Sequence, residues 1–180
     1  MGQNRNNKGF SLVELIIVIA IMAITIGVLA PQLIKYIEKA KVAADTQACD
    51  AIHSAIVLAL NDPNVVTASD KSRDWIEKFT TPDTDIHLYS GMFGAAWFDC
   101  EFVRSVTDTL GYNPWDTPAG EGLKSTPASG HTLMPCAIVN SAGSGFAVYI
   151  AWSDRTGYKK GENFNESYDD LEDSKVIYVK

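Results

Sequence analysis

Residues 15–30, Leu-Ile-Ile-Val-Ile-Ala-Ile-Met-Ala-Ile-Thr-Ile-Gly-Val-Leu-Ala, carry no charged side chain and a single hydroxyl. Few features constrain a fold more, because a run of this kind seeks either a protein core or a bilayer. As an α-helix, residues 10–30 extend about 30 Å, the thickness of a membrane's hydrocarbon layer. The segment is therefore long enough to cross once. The remainder reads as an ordinary polar domain, and a chain with 46% hydrophobic and 10% aromatic residues has enough apolar side chains for one core.

The flanks of the run decide how it is used. Residues 1–9 are polar, contain Arg5 and Lys8 and lack acids. That gives the positive-then-apolar order of an export signal. An ordinary secretory signal ends in small residues and is removed there. Here the pattern instead continues through Pro31 into Gln32, Leu33, Ile34, Lys35 and Tyr36, so the apolar segment is expected to stay in the mature chain. Glu14 lies near its start, where an ionised carboxylate is costly unless it has a partner.

Lys8-Gly9-Phe10-Ser11-Leu12-Val13-Glu14-Leu15 resembles the prepilin-peptidase signature of type IV pilins. The resemblance implies cleavage between Gly9 and Phe10 and N-methylation of the new Phe10 amine. It places Glu14 at the family's glutamate, five residues into the mature chain, and Pro31 at the family's helix-kinking proline. A cut after Gly9 creates a positive amine at one end of a helix, and Glu14 of a neighbouring subunit would neutralise it in an apolar medium and set the axial register. The plainer reading of Glu14 is an acid favoured by the dipole of a helix N-terminus in the headgroup layer. For Pro31 the plainer reading is a bend at the membrane edge.

Beyond Pro31 the apolar residues become periodic. Ile34, Ile37, Ala44, Ala48, Ala51, Ile52, Ala55, Ile56 and Ala59 recur at three- and four-residue steps, with Lys39, Asp45, Gln47, Asp50 and His53 between them. This predicts an amphipathic continuation of the same helix, stopped at Asn61-Asp62-Pro63-Asn64. Short helices are expected over residues 69–79, with a Ser or Asp cap, and over residues 92–110, with Phe93, Trp97, Cys100, Val103 and Val106 on one side and Gly111 as the stop. Strands are expected over 132–139, 146–152 and 174–179, the first two joined by a turn at 140–145, with an exposed polar loop at 154–173. Asn113-Pro114-Trp115-Asp116-Thr117-Pro118 resembles the Asp-Pro-Trp-Gly-Asn-Pro-Tyr turn that opens the sheet in major pseudopilins and some Gram-positive pilins, with Asp116 in place of the glycine and Ala119 in place of the tyrosine. The fold class is thus α+β: a long N-terminal helix with a protruding apolar half and an amphipathic half packed on a C-terminal antiparallel sheet. The expected divisions are a leader at 1–9, a membrane and filament-core helix at 10–31, its amphipathic continuation at 32–62 and a globular head at 63–180.

Charge and motifs narrow the chemistry. A net charge of −7 argues against a phosphate-binding surface, and Lys35, Lys39 and Lys41 read as a solvated face or a membrane-proximal anchor rather than a nucleic-acid site. No phosphate-cradling glycine loop is present, and His53, His87 and His131 lack metal-ligand spacing. No local motif supports a nucleophile made from Cys136 or a serine with His131. An enzyme is therefore not expected. Cys100 and Cys136 are a candidate disulfide of an exported domain with Cys49 left over, and three reduced core thiols are the alternative. The acidic run Glu166, Asp169, Asp170, Glu172 and Asp173 is rich enough in oxygen for calcium, Asp169, Asp170, Glu172 and Asp173 being the ligand candidates, although its spacing fits a solvated loop as well. No other cofactor is expected.

The resemblance implies a structural subunit held in the cytoplasmic membrane as a single-pass precursor and then packed with copies of itself into an extracellular helical filament. It implies as partners a prepilin peptidase and methyltransferase, an assembly platform and its ATPase. A pseudopilin of type II secretion or DNA uptake shares every N-terminal feature. A signal-anchored extracytoplasmic binding domain is the alternative of another class.

Overall fold

The computed structural model describes residues 10–88, 97–115, 123–124, 131–154, 168–172 and 177–180, the side chains of 131–134, 152–154 and 172 excepted. Along the chain these form α1 (Leu12–Leu60), α2 (Pro63–Thr67), α3 (Ser72–Thr80), β1 (Asp85–His87), α4 (Glu101–Leu110), β2 (His131–Val139), β3 (Phe146–Asp154), a 3-10 turn (Asp169–Glu172) and β4 (Ile177–Val179). The arrangement is α+β, and the chain divides into two compact units, residues 1–40 and 41–180. Residues 1–9, the expected leader, lie outside the described residues.

In the second unit the sheet is antiparallel in the order β1-β2-β3-β4. β2 and β3 pair from His131↔Asp154 to Val139↔Phe146, so successive side chains alternate between two faces. Ala137, Val139, Phe146, Val148 and Ile150 join Cys49, Ile52, Ala55, Ile56 and Ala59 of α1 and the residues of α3 and α4 in the main core. Cys136, Ile138, Ala147, Tyr149 and Ala151 face the other way and pack with Leu171. The amphipathic half of α1 therefore covers one face of the sheet, as its periodicity predicts.

Polar side chains set the ends of the helices. After α1, the Asp62 carboxylate accepts the Asn64 N–H at 2.9 Å and Pro63 occupies the first position of α2, so the expected stop signal also starts a new helix. Asp70 accepts the Ser72 N–H (2.8 Å) through one oxygen and the Glu101 N–H (2.9 Å) through the other. The Ser72 hydroxyl accepts the Phe102 N–H at 2.9 Å. One acidic side chain thus serves the N-termini of both α3 and α4. Gly111 closes α4 at φ 75° with its N–H on Thr107 O. In the β2–β3 turn Gly143 has φ 66°, and a Cβ there would lie 2.7 Å from Thr80 O.

Several boundaries differ from the sequence reading. α4 begins at Glu101 rather than at residue 92, because Cys100 is extended (φ −145°, ψ 161°); residues 92–96, including Phe93, lie outside the described residues. α3 begins at Ser72 rather than Ser69, since the capping carboxylate is that of Asp70. β4 is described over Ile177–Val179, and residues 174–176 lie outside. β1 and α2 were not expected at all. Asp45, read as part of a polar helix face, is buried and accepts the Lys124 N–H at 2.6 Å. His53 likewise is half-buried, its ring 4.6 Å from that of Phe146. Trp115 of the anticipated turn is fully buried beside Trp75, and Asn113 Oδ1 accepts its N–H; residues 116–118 lie outside the described residues.

The Cys100–Cys136 disulfide does not form; no described cysteine is in a disulfide, and all three are buried. The reason is strand alternation. Cys100 sits in the core on the helix side of the sheet, whereas Cys136 points to the opposite face.

Candidate processing and assembly segment

The first unit supplies the candidate site. From Leu12 to Ile37 its large apolar side chains are exposed, Leu12 at 73% and Ile24 at 69%, for example. The helix is long and apolar enough to cross a membrane, and none of its most apolar stretch is buried by the chain. In water such a surface would aggregate, so it calls for lipid or for other copies of the same helix.

Phe10 precedes the helix and is 88% exposed, which leaves the Gly9–Phe10 bond uncovered on the Phe10 side; Gly9 lies outside the described residues. The Glu14 carboxylate accepts the Ser11 N–H at 2.9 Å. Ser11-x-x-Glu14 is half of a capping box, in which the acid at the third helical position satisfies a backbone donor just before the first turn. The sequence contains this S-x-x-E signal, but the sequence reading gives Glu14 as a charge seeking an intersubunit partner or as an acid favoured by the helix dipole, not as a cap. A carboxylate folded back on Ser11 N–H lies one residue from Phe10, the residue before which the expected cut falls. Its lone pairs are aimed at the helix start, where the dipole also favours negative charge.

The rest of the run is prepared for an apolar medium. Thr25, the single hydroxyl, donates within its own helix toward Ile21 O (3.0 Å) and Met22 O (2.9 Å), which leaves it no unmet donor. A Cβ at Gly27 would meet no other part of the chain. α1 continues unbroken through Pro31, although proline cannot donate to the carbonyl one turn earlier. Pro31 therefore marks a weakened turn inside a continuous helix.

Elsewhere, the three cysteines are buried and in no disulfide. Burial pushes the Cys49 thiol up to about 12, with the Asp45 charge adding to the effect. Burial likewise raises Cys136 well above the ordinary thiol range, with the Asp85 charge contributing, and raises Cys100. Thiols held protonated are poor nucleophiles. The register sets His87 opposite Cys136. His87 Nε2 lies 3.5 Å from an Asp85 oxygen, and Tyr149 OH donates to the other Asp85 oxygen at 3.0 Å. This cluster ties β1 to β3 across the outer sheet face. Of the calcium candidates, Asp169 and Asp170 are exposed on the 3-10 turn, while Asp173 and the side chain of Glu172 lie outside the described residues. Among the described residues no three acidic, histidine or cysteine side chains gather around a common point suited to a metal.

Residues 4–30 match the model of the prokaryotic N-terminal methylation motif, the type IV prepilin signature. The match covers polar residues 4–8, Gly9, Phe10, Glu14 and the apolar run up to the residue before Pro31. No curated protein and no solved structure matches the chain.

Proposed function

We propose that this chain is the precursor of a structural subunit of a type IV pilus. It is held in the cytoplasmic membrane by α1, cut between Gly9 and Phe10 by a prepilin peptidase, methylated on the Phe10 amine and then packed with copies of itself into an extracellular filament. The observation that carries this reading is the coincidence of the methylation motif with an apolar helix that the chain's own fold leaves uncovered.

Each feature of the segment has a place in that sequence of events. Before cleavage, residues 12–30 are solvated by lipid and Glu14 is satisfied by Ser11. Cleavage supplies a cationic amine, whose pairing with a neighbour's Glu14 removes two isolated charges from an apolar medium at once. Lipid contacts of the exposed aliphatic side chains are exchanged for contacts with neighbouring helices, at little cost in apolar exposure. The head, residues 41–180, forms its own core and supplies the filament's outer surface, and an assembly platform with its ATPase supplies the work of extraction.

The test is intact-mass and N-terminal peptide analysis of the protein recovered from its native cell surface. A first residue Phe10 carrying one extra methyl group supports the proposal. A first residue Met1, or one beyond Ala30, refutes it.

A further inference from the structure

We propose that Gln32, Lys35, Tyr36 and Lys39 form a stripe on α1 that binds the headgroups of anionic phospholipids in the leaflet from which the helix emerges. This rests on the reading of residues 12–30 as a membrane span. The four residues recur at steps of three, one and three, which puts them on one side of a continuous helix. All four are exposed, Tyr36 at 67%. Leu33, Ile34 and Ile37 occupy the other side of the same two turns.

Depth and direction fit a headgroup layer. With the hydrocarbon boundary at Ala30 and Pro31, Lys35 lies about 7 Å and Lys39 about 13 Å farther along at 1.5 Å per residue, and each polar layer is roughly 6 Å thick. Helical side chains lean toward the helix N-terminus, so both lysines reach back toward the bilayer while their methylenes lie along the helix. An aromatic ring with a hydroxyl at the depth of Tyr36 is a typical interfacial anchor.

Charge selects the lipid class. Lys35 and Lys39 make no ion pair among the described residues. Glu38, the one acid in this stretch, is half-buried and stands one turn from Ile34, to the side of the stripe. Residues 41–180 carry 11 basic and 20 acidic side chains, a balance of −9, so the head by itself is repelled by an anionic leaflet. Two unpaired cations between span and head provide a local attraction for lipid phosphates, each worth about a fivefold preference near a charged surface. The stripe fixes the depth of the waiting subunit, and its lipid contacts must be released when the helix leaves the membrane.

The test uses the full chain, first floated with vesicles of phosphatidylcholine alone, then placed in nanodiscs of equal phosphatidylcholine and phosphatidylglycerol. The lipids retained on each chain are counted by native mass spectrometry. The expected result is flotation of both the wild type and the Lys35→Gln/Lys39→Gln variant. In the nanodiscs the retained ratio of phosphatidylglycerol to phosphatidylcholine should fall about 5- to 25-fold in that variant, while Lys35→Arg/Lys39→Arg keeps the wild-type ratio. Flotation with an unchanged ratio in the glutamine variant overturns the headgroup site and leaves the membrane span intact. Failure of the wild type to float overturns the span and this proposal with it.

Discussion

Asp70 is the side chain whose removal should most clearly expose how the helical layer of the head is held. Its two oxygens accept the N–H groups of Ser72 and Glu101, at the starts of two helices, the second of them 31 residues beyond Asp70 in sequence. Ser72 is fully buried, so without the carboxylate its N–H has no water to turn to. Loss of a single N-cap costs about 1 kcal/mol, with an upper range near 2, so Asp70→Ala, which removes two, should cost about 2–3 kcal/mol. For a domain of this size each kcal/mol lowers Tm by about 2–4 °C, which gives an expected drop of roughly 5–10 °C in a circular-dichroism melt at pH 7. Asp70→Asn, with an amide oxygen still able to cap, should recover part of it. The effect should also depend on pH. Slight desolvation pushes the exposed Asp70 carboxyl up, but hydrogen bonds from the Ser72 hydroxyl and from the Ser72 and Glu101 N–H groups, with the Arg104 charge, outweigh it and hold the group below its ordinary 3.8. A depressed carboxyl contributes stability that is present above its unfolded value and is lost as pH falls through its folded one. The difference between wild type and Asp70→Ala should therefore be fully present at pH 5 to 7 and shrink as pH falls below 3.8 toward the lower folded value. A drop under 2 °C at pH 7, or a difference that persists unchanged at the lowest pH, would refute the double-cap account.

Three further outcomes follow from the same geometry. Gly143→Ala combines a left-handed backbone with a Cβ 2.7 Å from Thr80 O, and should cost about 2 kcal/mol or more in urea unfolding; an effect under 0.5 kcal/mol would mean the turn is not pressed on α3. Ellman's reagent at pH 8 should label none of the three thiols rapidly in the folded protein and all three in denaturant, because each is buried and unbonded; two thiols missing after denaturation would reveal a disulfide. Glu14→Ala should leave the head's melting temperature within 1 °C of wild type while surface filaments, counted by electron microscopy, fall at least tenfold; normal filament numbers would remove Glu14 from assembly.

How much of this was legible in the sequence depended on whether the signal was local. The apolar run, Glu14, the Gly9–Phe10 junction and the three-and-four spacing along α1 are properties of adjacent residues, and they specified the long helix and the candidate site. The β2–β3 hairpin was equally plain, because Val, Ile, Tyr and Phe flank a glycine-bearing turn. Asp45 and His53 were misplaced because a polar type argues for exposure unless a distant partner is known, and theirs are Lys124 N–H and Phe146. The start of α4 was hidden because its caps, Asp70 and Ser72, lie at the start of another helix. Strand β1 is three residues long and exists through pairing with β2, which no short-range pattern reports. The disulfide expectation failed on the same ground: two cysteines in one exported domain look like a pair until the sheet places them on opposite faces.

The central claim is that residues 1–9 are removed and that the exposed helix begins at a methylated phenylalanine. N-terminal peptide mass spectrometry of the protein from its native cell surface tests it most directly. The account predicts a peptide beginning at Phe10 with one added methyl on its amine, and a peptide that still begins at Met1, or begins beyond Ala30, would contradict it.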